Sequence, residues 1–590
     1  MPKPGARSPV AWPLVAALLG AALSVLRAAY LESFSGYNGC KGCFLRATLG
    51  SDAWLLALLF VLLGMRAQAR NRAVGVLLGA AGALLVAAMG LDLALLVLLD
   101  QRLYLGDLWH FAGEVAGNWS VARAAALSPR GILYDGLALA VVATGIGLIA
   151  TRARSPRVAV VLFGGAVVLL GFAARETSIS TLRYVHAQYT WNLVAINLPE
   201  GREKAFSPAH VRQVIARSEK LPRNCQAGSP TGRSVIIVIT ESLSAYQSAL
   251  LGGPQDWLPR LDALARANHY FTRFYANGFS TDGGQIAVLT GRLPLVPPGA
   301  AWYTGAAFGP SEETLPALAH RAGYGAYYFT TADLGFFDTG AWLRSLGFDA
   351  VEGGEAAAYA GSPRGPFGAA PDAALLARFE QWLDQRTDAR PFVAVLVTAS
   401  SHPPFVDPQS GRLDVAATFG YVDVQLADFH DRLAARGFLD RGLLLITGDH
   451  RAMTPILADE YRRFGERAFA RVPLIVAGAI DMPPVVTDAF QQADVPASLA
   501  HILGVEYCRS KFTGVFLDAA PAPAQYVVHS RGDDRNRVDV YFDDQIAAYA
   551  EDGDASRWTG VVPPDAESAA AWIDAQRVRN ATPGHADTKP

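Results

Sequence analysis

The stretch SVIIVITES at residues 234–242 is a short apolar, β-branched run that ends on a carboxylate. Its apolar side chains sit at consecutive rather than alternate positions, so both faces are buried, which is how a strand of a parallel sheet reads. Four further runs repeat the pattern: AYYFTT (326–331), FVAVLVT (392–398), LLLIT (443–447) and VPLIVAG (472–478). Helical patterns fall between them near 258–268, 313–322, 371–386, 414–436 and 487–503. This alternation predicts a doubly wound α/β domain over residues 233–505, with a mostly parallel sheet wrapped by helices.

The chain before this domain has another character. Of the 590 residues 51% are apolar and only 18% charged, against roughly 25% in an average soluble chain. The apolar excess lies before residue 175, in five stretches: Trp12 to Leu31, Leu49 to Met65, Ala73 to Leu91, Gly131 to Ala150 and Val158 to Ala174. Each is near the ~20 residues that a helix needs to cross a bilayer core. The segments holding Lys3 and Arg7, then Arg66, Arg70 and Arg72, then Arg152, Arg154 and Arg157 carry basic residues without acidic ones. The alternate segments, 32–52 and 100–130, are balanced by Glu32, Asp52, Asp100, Asp107 and Glu114. The basic segments therefore mark the cytoplasmic side, and five spans leave everything after Ala174 outside. The length of the first stretch and Arg27 at its outer end favour an uncleaved anchor over a signal peptide. Asp92 and Asp135, at the outer ends of their spans, read as solvated interfacial carboxylates.

A transmembrane domain of five helices is thus expected over 1–175, a juxtamembrane helical connector over 176–232, small C-terminal strands over 506–550, and a poorly ordered polar tail over 551–590. With 51 basic and 53 acidic residues there is no field to draw nucleic acid, so no such partner is expected. All four cysteines fall on the outer side, where oxidation is permitted. Cys40 and Cys43 suit a local disulfide, while Cys225 and Cys508 flank the α/β domain.

Ligands of such sheets collect beyond the carboxyl ends of the strands, so the residues after each run are the informative ones. They are Glu241, Gly448-Asp449-His450 and Ser400-Ser401-His402-Pro403. Between the first two runs stands FSTDGGQIAVLTGRLP (279–294), in which Thr281 precedes a glycine turn and a helical stretch. A hydroxyl there faces free backbone N–H groups and the positive end of a helix, a ready anion site. Singly, each has a plain structural reading: an Asp-His loop pair, a helix-capping Glu or Thr, a satisfied loop His. Together at one sheet edge, Glu, Asp, His and a Thr oxygen make a donor set for zinc or manganese. They are expected as surface residues at strand ends.

At these residues the chain resembles the alkaline-phosphatase and sulfatase superfamily. TDGGQIAVLTGRLP has the spacing of the sulfatase signature, with Thr281 at the nucleophile position and Gly283, Gly284 and Gln285 where a Pro-Ser-Arg element stands in true sulfatases. A Thr there is similar to the membrane-bound branch: lipoteichoic acid synthases, phosphoglycerol transferases and lipid A phosphoethanolamine transferases. Glu241-Ser242-Leu243, Gly448-Asp449-His450 and the helix YVDVQLADFHDRLAARGFLDRG (421–442) look like the first two groups. The resemblance implies Glu241, Thr281, Asp449 and His450 as ligands of one divalent cation, Mn2+ or Zn2+ with Mg2+ also admissible. It implies Thr281 and His402 as catalytic residues, His402 lying near the donor phosphate. For the headgroup it points to Arg292, and to a Trp-x-Arg pair whose expected register falls on Phe337 and Thr339, whereas Trp342 and Arg344 have the right types at a shifted position.

The implied reaction is metal-dependent transfer of phosphoglycerol, or a related headgroup, from a membrane phospholipid donor to an envelope glycan or polymer acceptor through a covalent phospho-threonine. The alternatives are a sulfatase-like hydrolase or phosphodiesterase using water, a phosphoethanolamine transferase, and a noncatalytic membrane scaffold. The implied location is a bacterial-type cytoplasmic (inner) membrane, multi-pass, with the catalytic domain on the outer face.

Overall fold

The computed structural model describes residues 11–33, 42–99, 102–105, 129–151, 154–176, 187–198, 205–296, 308–454, 456–532 and 537–581. The pairing of Cys40 and the loop charges at Asp100, Asp107, Glu114 and Arg123 lie outside them. The chain divides into two compact units, one holding the helices before Pro199 and the other holding Glu200–Met453 and the chain from Arg462.

In the first unit, Trp12–Ser33, Phe44–Gln68, Arg72–Val97 and Pro156–Glu176 are long and apolar enough to cross a membrane. The remaining expected span is a helix, Pro129–Ala150, whose described apolar part, Asp135–Ala150, is shorter. Asp92 is not the solvated carboxylate that its position suggested. It is 2% exposed and accepts from Arg102 through both oxygens, at 2.9 Å each, and from the Leu103 N–H. Arg27 grips Asp52 in the same forked way, at 3.2 and 2.5 Å. The remaining Nη1 atoms of both arginines donate to one pair of carbonyls, Tyr189 and Trp191, at 2.9–3.1 Å. Planar guanidinium groups suit this work because one edge meets a carboxylate while the other donors reach elsewhere. Asp135 is exposed, as expected.

The second unit is built on an eight-stranded sheet. Its order is Val485–Val486, His269–Phe271, Leu474–Gly478, Gly442–Gly448, Ser234–Thr240, Phe392–Val397, Gly325–Thr330 and Ala350–Glu352. All five runs read from the sequence are strands, and the other three strands of the sheet, only two or three residues long, carried too little pattern to be read. The sheet is mixed: Leu474–Gly478 runs antiparallel to both of its neighbours, and the other pairings are parallel. Alternate residues of one strand serve opposite cores. Val235, Ile237 and Ile239 pack with Ile286, Leu318 and Leu499 from helices on one face. Ile236 and Val238 pack with Leu261, Phe379 and Phe429 from helices on the other. At roughly 1.5–3 kcal/mol for each fully buried Val, Leu or Ile, this double burial is what holds the strand ends in place.

Cys225 and Cys508 face each other across the antiparallel pair Asn224–Ala227 and Glu506–Arg509 and form a disulfide. The connector is not a separate piece. Residues 187–198 fold with the first unit, whereas Val214 of helix Pro208–Ser218 packs on Ala575 and Val578 in the second. The poorly ordered tail expected after residue 550 is also corrected. Ala555–Gly560 is the fourth strand of an antiparallel sheet, and Ala566–Ala581 is a helix. That helix is held by polar groups: buried Arg577 pairs with Glu551 and donates to the Val296 carbonyl, Tyr549 donates to Asp574, and Asn580 donates to the carbonyls of Leu293 and Leu295.

Replacing Asp92 by Ala leaves Arg102 buried without its counter-charge, which costs about 3–5 kcal/mol. The expected outcome is a marked fall in the melting temperature of the detergent-solubilised protein, and an unchanged melt would show that the pair carries no weight.

Candidate metal centre

Strands Ser234–Thr240 and Gly442–Gly448 are parallel neighbours with Thr240 paired to Gly448, so the next residue on each, Glu241 and Asp449, leave the sheet side by side. His450 follows. The ligand atoms of Glu241, Asp449 and His450 lie within 4.8 Å of one another. His450 Nε2 is 3.5 Å from Glu241 Oε1 and 3.4 Å from Asp449 Oδ2. Thr281 Oγ1 completes the group, donating to Glu241 Oε2 at 3.0 Å and lying 3.4 Å from His450 Nε2.

These are not surface residues: Asp449 and His450 are 0% exposed and Glu241 3%. The cover is the first turn of helix Thr281–Thr290, and the glycines of the TDGG turn explain how it fits. A Cβ on Gly284 would lie 2.2 Å from the Asp449 carbonyl oxygen, so only glycine lets the helix sit on that strand end. Gly448 is under the same constraint, with a Cβ there only 2.0 Å from the Leu243 carbonyl. Ser280 caps the helix through the Gly283 N–H. Thr281 is therefore at the first helical position, where unsatisfied N–H groups and the helix dipole favour an anion.

The surrounding loops fix these side chains through residues to which the sequence assigned no role. Thr398 accepts the Glu241 N–H at 3.1 Å, and Ser401 donates to the Glu241 carbonyl at 2.6 Å. Gln492 donates to the carbonyls of Gly448 and Asp449 at 2.7 Å each. Asp372 accepts the N–H groups of Ala399 and Ser400, holding the loop that carries His402. Ser and Thr directly after strands are common enough that no local pattern marks them. Ser242 adopts a left-handed backbone with φ of 57°, a conformation costing a non-glycine residue on the order of 1–3 kcal/mol.

The electrostatics are those of a cation site. Burial works against the Glu241 charge, but the hydrogen bond with His450, the charges of His402 and His450 and the Ser242 hydroxyl together outweigh it and hold its pKa low. Burial, then the Glu241 charge, pushes Asp449 well up. Burial works against the His450 charge, yet Asp449 and Glu241 outweigh it and raise the pKa from 6.5 to about 9. Asp449 Oδ2 is buried with no hydrogen-bond partner among the described residues. A buried, orphaned carboxylate oxygen beside a second carboxylate and an imidazole fits a bound divalent cation, which would satisfy all three.

His402 is close enough to Glu241 for their charges to interact, burial lowers its pKa, and its Nδ1 lies 2.7 Å from the Pro403 carbonyl oxygen. The other expected contacts are elsewhere. Arg292 follows the far end of helix Thr281–Thr290, roughly 15 Å from Thr281 at 1.5 Å rise per residue, and donates to Asn580. Trp342 is 7% exposed in the core and donates to the Phe308 carbonyl. Arg344 is exposed, and the Phe337 side chain lies outside the described residues.

Residues 233–505 match the sulfatase family model. Lipoteichoic acid synthase-like YvgJ of Bacillus subtilis (strain 168) is 29% identical over 141 residues, covering 20% of this chain and 23% of the relative, so the match spans about a quarter of that protein. The crystal structure of lipoteichoic acid synthase LtaP from Listeria monocytogenes is similar at 18% identity, covering 63% of this chain and 97% of that one, with a TM-score of 0.46. The integral membrane lipooligosaccharide phosphoethanolamine transferase A (EptA) of Neisseria meningitidis is similar at 13% identity, covering 85% and 96%, with a TM-score of 0.48.

A group whose pKa is raised on folding contributes stability that is present below its unfolded value and lost as pH rises through its folded value. For His450 that window runs from 6.5 to about 9, and the raised Asp449 acts in the same direction. Chelator-treated protein is therefore expected to melt at progressively lower temperature across this range. Cation affinity is expected to rise over it, by up to about tenfold per pH unit, because a ligating imidazole must be neutral. Both slopes flat in calorimetry would contradict the assignment of His450.

Proposed function

We propose, from the premise that residues 233–505 form a domain of the sulfatase and alkaline phosphatase superfamily, that this protein transfers a phospholipid headgroup, phosphoglycerol first among them, to an envelope glycan or polymer. The observation that carries the proposal is the Thr281 hydroxyl, set at a helix N-terminus and within 3.0–3.4 Å of Glu241 and His450. A threonine is a weak nucleophile unless its alkoxide is stabilised. Glu241, Asp449, His450 and Thr281 would hold one divalent cation, manganese or zinc, whose charge stabilises that alkoxide and polarises a phosphoryl oxygen.

The chain's own groups do the rest. Glu241 Oε2 accepts the hydrogen bond that orients the Thr281 hydroxyl, and the N–H groups of the first helical turn receive the phosphoryl oxygens. Thr281 Oγ1 attacks phosphorus, the bond from phosphorus to the diacylglycerol oxygen breaks, and His402 moves the hydroxyl proton of Thr281 to the leaving oxygen. An acceptor hydroxyl then displaces Thr281 in the reverse sense, completing a ping-pong cycle. Of the Trp342-x-Arg344 pair only Arg344 is exposed, so headgroup recognition by that pair rests on it.

Two features support an outer-face domain supplied by the membrane. The arginine asymmetry supports a cytoplasmic side for the segments at 66–72 and 152–157. The Cys225–Cys508 disulfide suits an oxidising compartment, where ATP is not at hand and a lipid phosphodiester is. We take all five apolar helices as spans.

Purified protein with phosphatidylglycerol and Mn2+ is expected to release diacylglycerol and to show a glycerophosphoryl adduct on Thr281 by mass spectrometry. Thr281→Ala is expected to lose both. Release from phosphatidylethanolamine alone would move the donor to phosphoethanolamine, headgroup release to water without any transfer would make the protein a hydrolase, and full activity in Thr281→Ala would overturn the nucleophile. A phosphatase reporter fused after residue 230 is expected to be active, as it is only outside the cytoplasm, and a silent fusion beside an active cytoplasmic reporter at the same point would invert the topology.

A further inference from the structure

We infer that Ser242 is a positioning residue that sets the orientation of two metal-ligand carboxylates at once, an inference that rests on the cation reading of the site. Ser242 is fully buried and left-handed, with φ of 57°, at a place where glycine would be the unstrained choice. The strained turn brings both of its donors to bear on ligands. Its N–H donates to Asp449 Oδ1 at 2.7 Å, across 207 positions of sequence, and its hydroxyl donates to Glu241 Oε1 at 2.8 Å.

The other oxygens are the ones left for an ion. Among the described residues Glu241 Oε2 is hydrogen-bonded only to Thr281, at 3.0 Å, and Asp449 Oδ2 has no hydrogen-bond partner, with His450 Nε2 3.4 Å away. Each carboxylate is thereby held by one oxygen and presents the other. The turn is itself locked from behind. The Ser242 carbonyl accepts from Ser244 Oγ at 2.9 Å and Gln247 Nε2 at 3.3 Å, and Ser244 Oγ accepts the Ala452 N–H at 2.8 Å, just past His450. Every polar atom of Ser242 is thus engaged. A glycine would keep the backbone conformation and the N–H tether but lose the hydroxyl, which is the reason to find serine here in spite of the strain.

The test compares Ser242→Gly with Ser242→Ala in the full-length protein. Titration of chelated protein with Mn2+ and with Zn2+ reads affinity directly, and far-UV circular dichroism reports folding. Removing a group that orients a metal ligand typically weakens binding 10–100-fold. Ser242→Gly is expected to stay folded and lose at least tenfold, and Ser242→Ala, which keeps the Cβ at the left-handed position and removes only the hydroxyl, is expected to lose as much. Wild-type affinity in folded Ser242→Gly overturns this role alone. A wild-type protein that binds neither ion overturns the cation reading and this role with it. The measurement is independent of which lipid, if any, is the donor.

Discussion

The pairing of Thr240 with Gly448 across two parallel strands is the constraint on which the site depends. Side chains alternate along a strand, so a slip of one residue would turn Glu241 or Asp449 to the opposite face of the sheet and separate the two carboxylates. The register is fixed by burial on both faces. A slip would carry Ile236 and Val238 out of one core and Val235, Ile237 and Ile239 out of the other. The free energy that defines the site is therefore apolar, and it is spent far from the chemistry. The chemistry occupies the two residues where each strand runs out of sheet to pair with.

That same burial makes the site electrostatically expensive in the absence of a cation. Two carboxylates and an imidazole share a volume from which water is excluded, and they respond by shifting their proton affinities against one another. The loops around them are occupied with holding rather than with reacting. Thr398, Ser401, Gln492 and Asp372 each spend hydrogen bonds on backbone groups of the ligands or of the His402 loop. A rigid cage of this kind costs no reorganisation when charge moves.

The five longer strands and their carboxyl-end residues were legible because their apolar runs are short and rich in β-branched residues, which favours a buried strand over a buried helix. Thr281 was legible from its spacing to the glycines and to Leu289-Thr290-Gly291-Arg292. The antiparallel course of Leu474–Gly478 was not, since side-chain alternation is the same in either direction. Asp92 and Arg102 read as separate charges because their pairing is made in space beside a segment near residue 190. Ala566–Ala581 was lost for a related reason. Its buried positions include Asp574, Gln576, Arg577 and Asn580, so no apolar stripe announces a packed helix.

That last helix also ties a remote part of the chain to the support of the candidate centre. Asn580 and Arg577 supply the hydrogen bonds for the carbonyls of Leu293, Leu295 and Val296, the strip that follows the helix carrying Thr281. A chain that stops short of them, through premature termination or proteolytic trimming, still contains Glu241, Thr281, His402, Asp449 and His450. It leaves the buried Leu295 and Val296 carbonyls without these donors, at about 1–3 kcal/mol each, and the Thr281 helix without its far support. Truncation there acts on the Thr281 hydroxyl from the far end of its helix, although every side chain around that hydroxyl is retained.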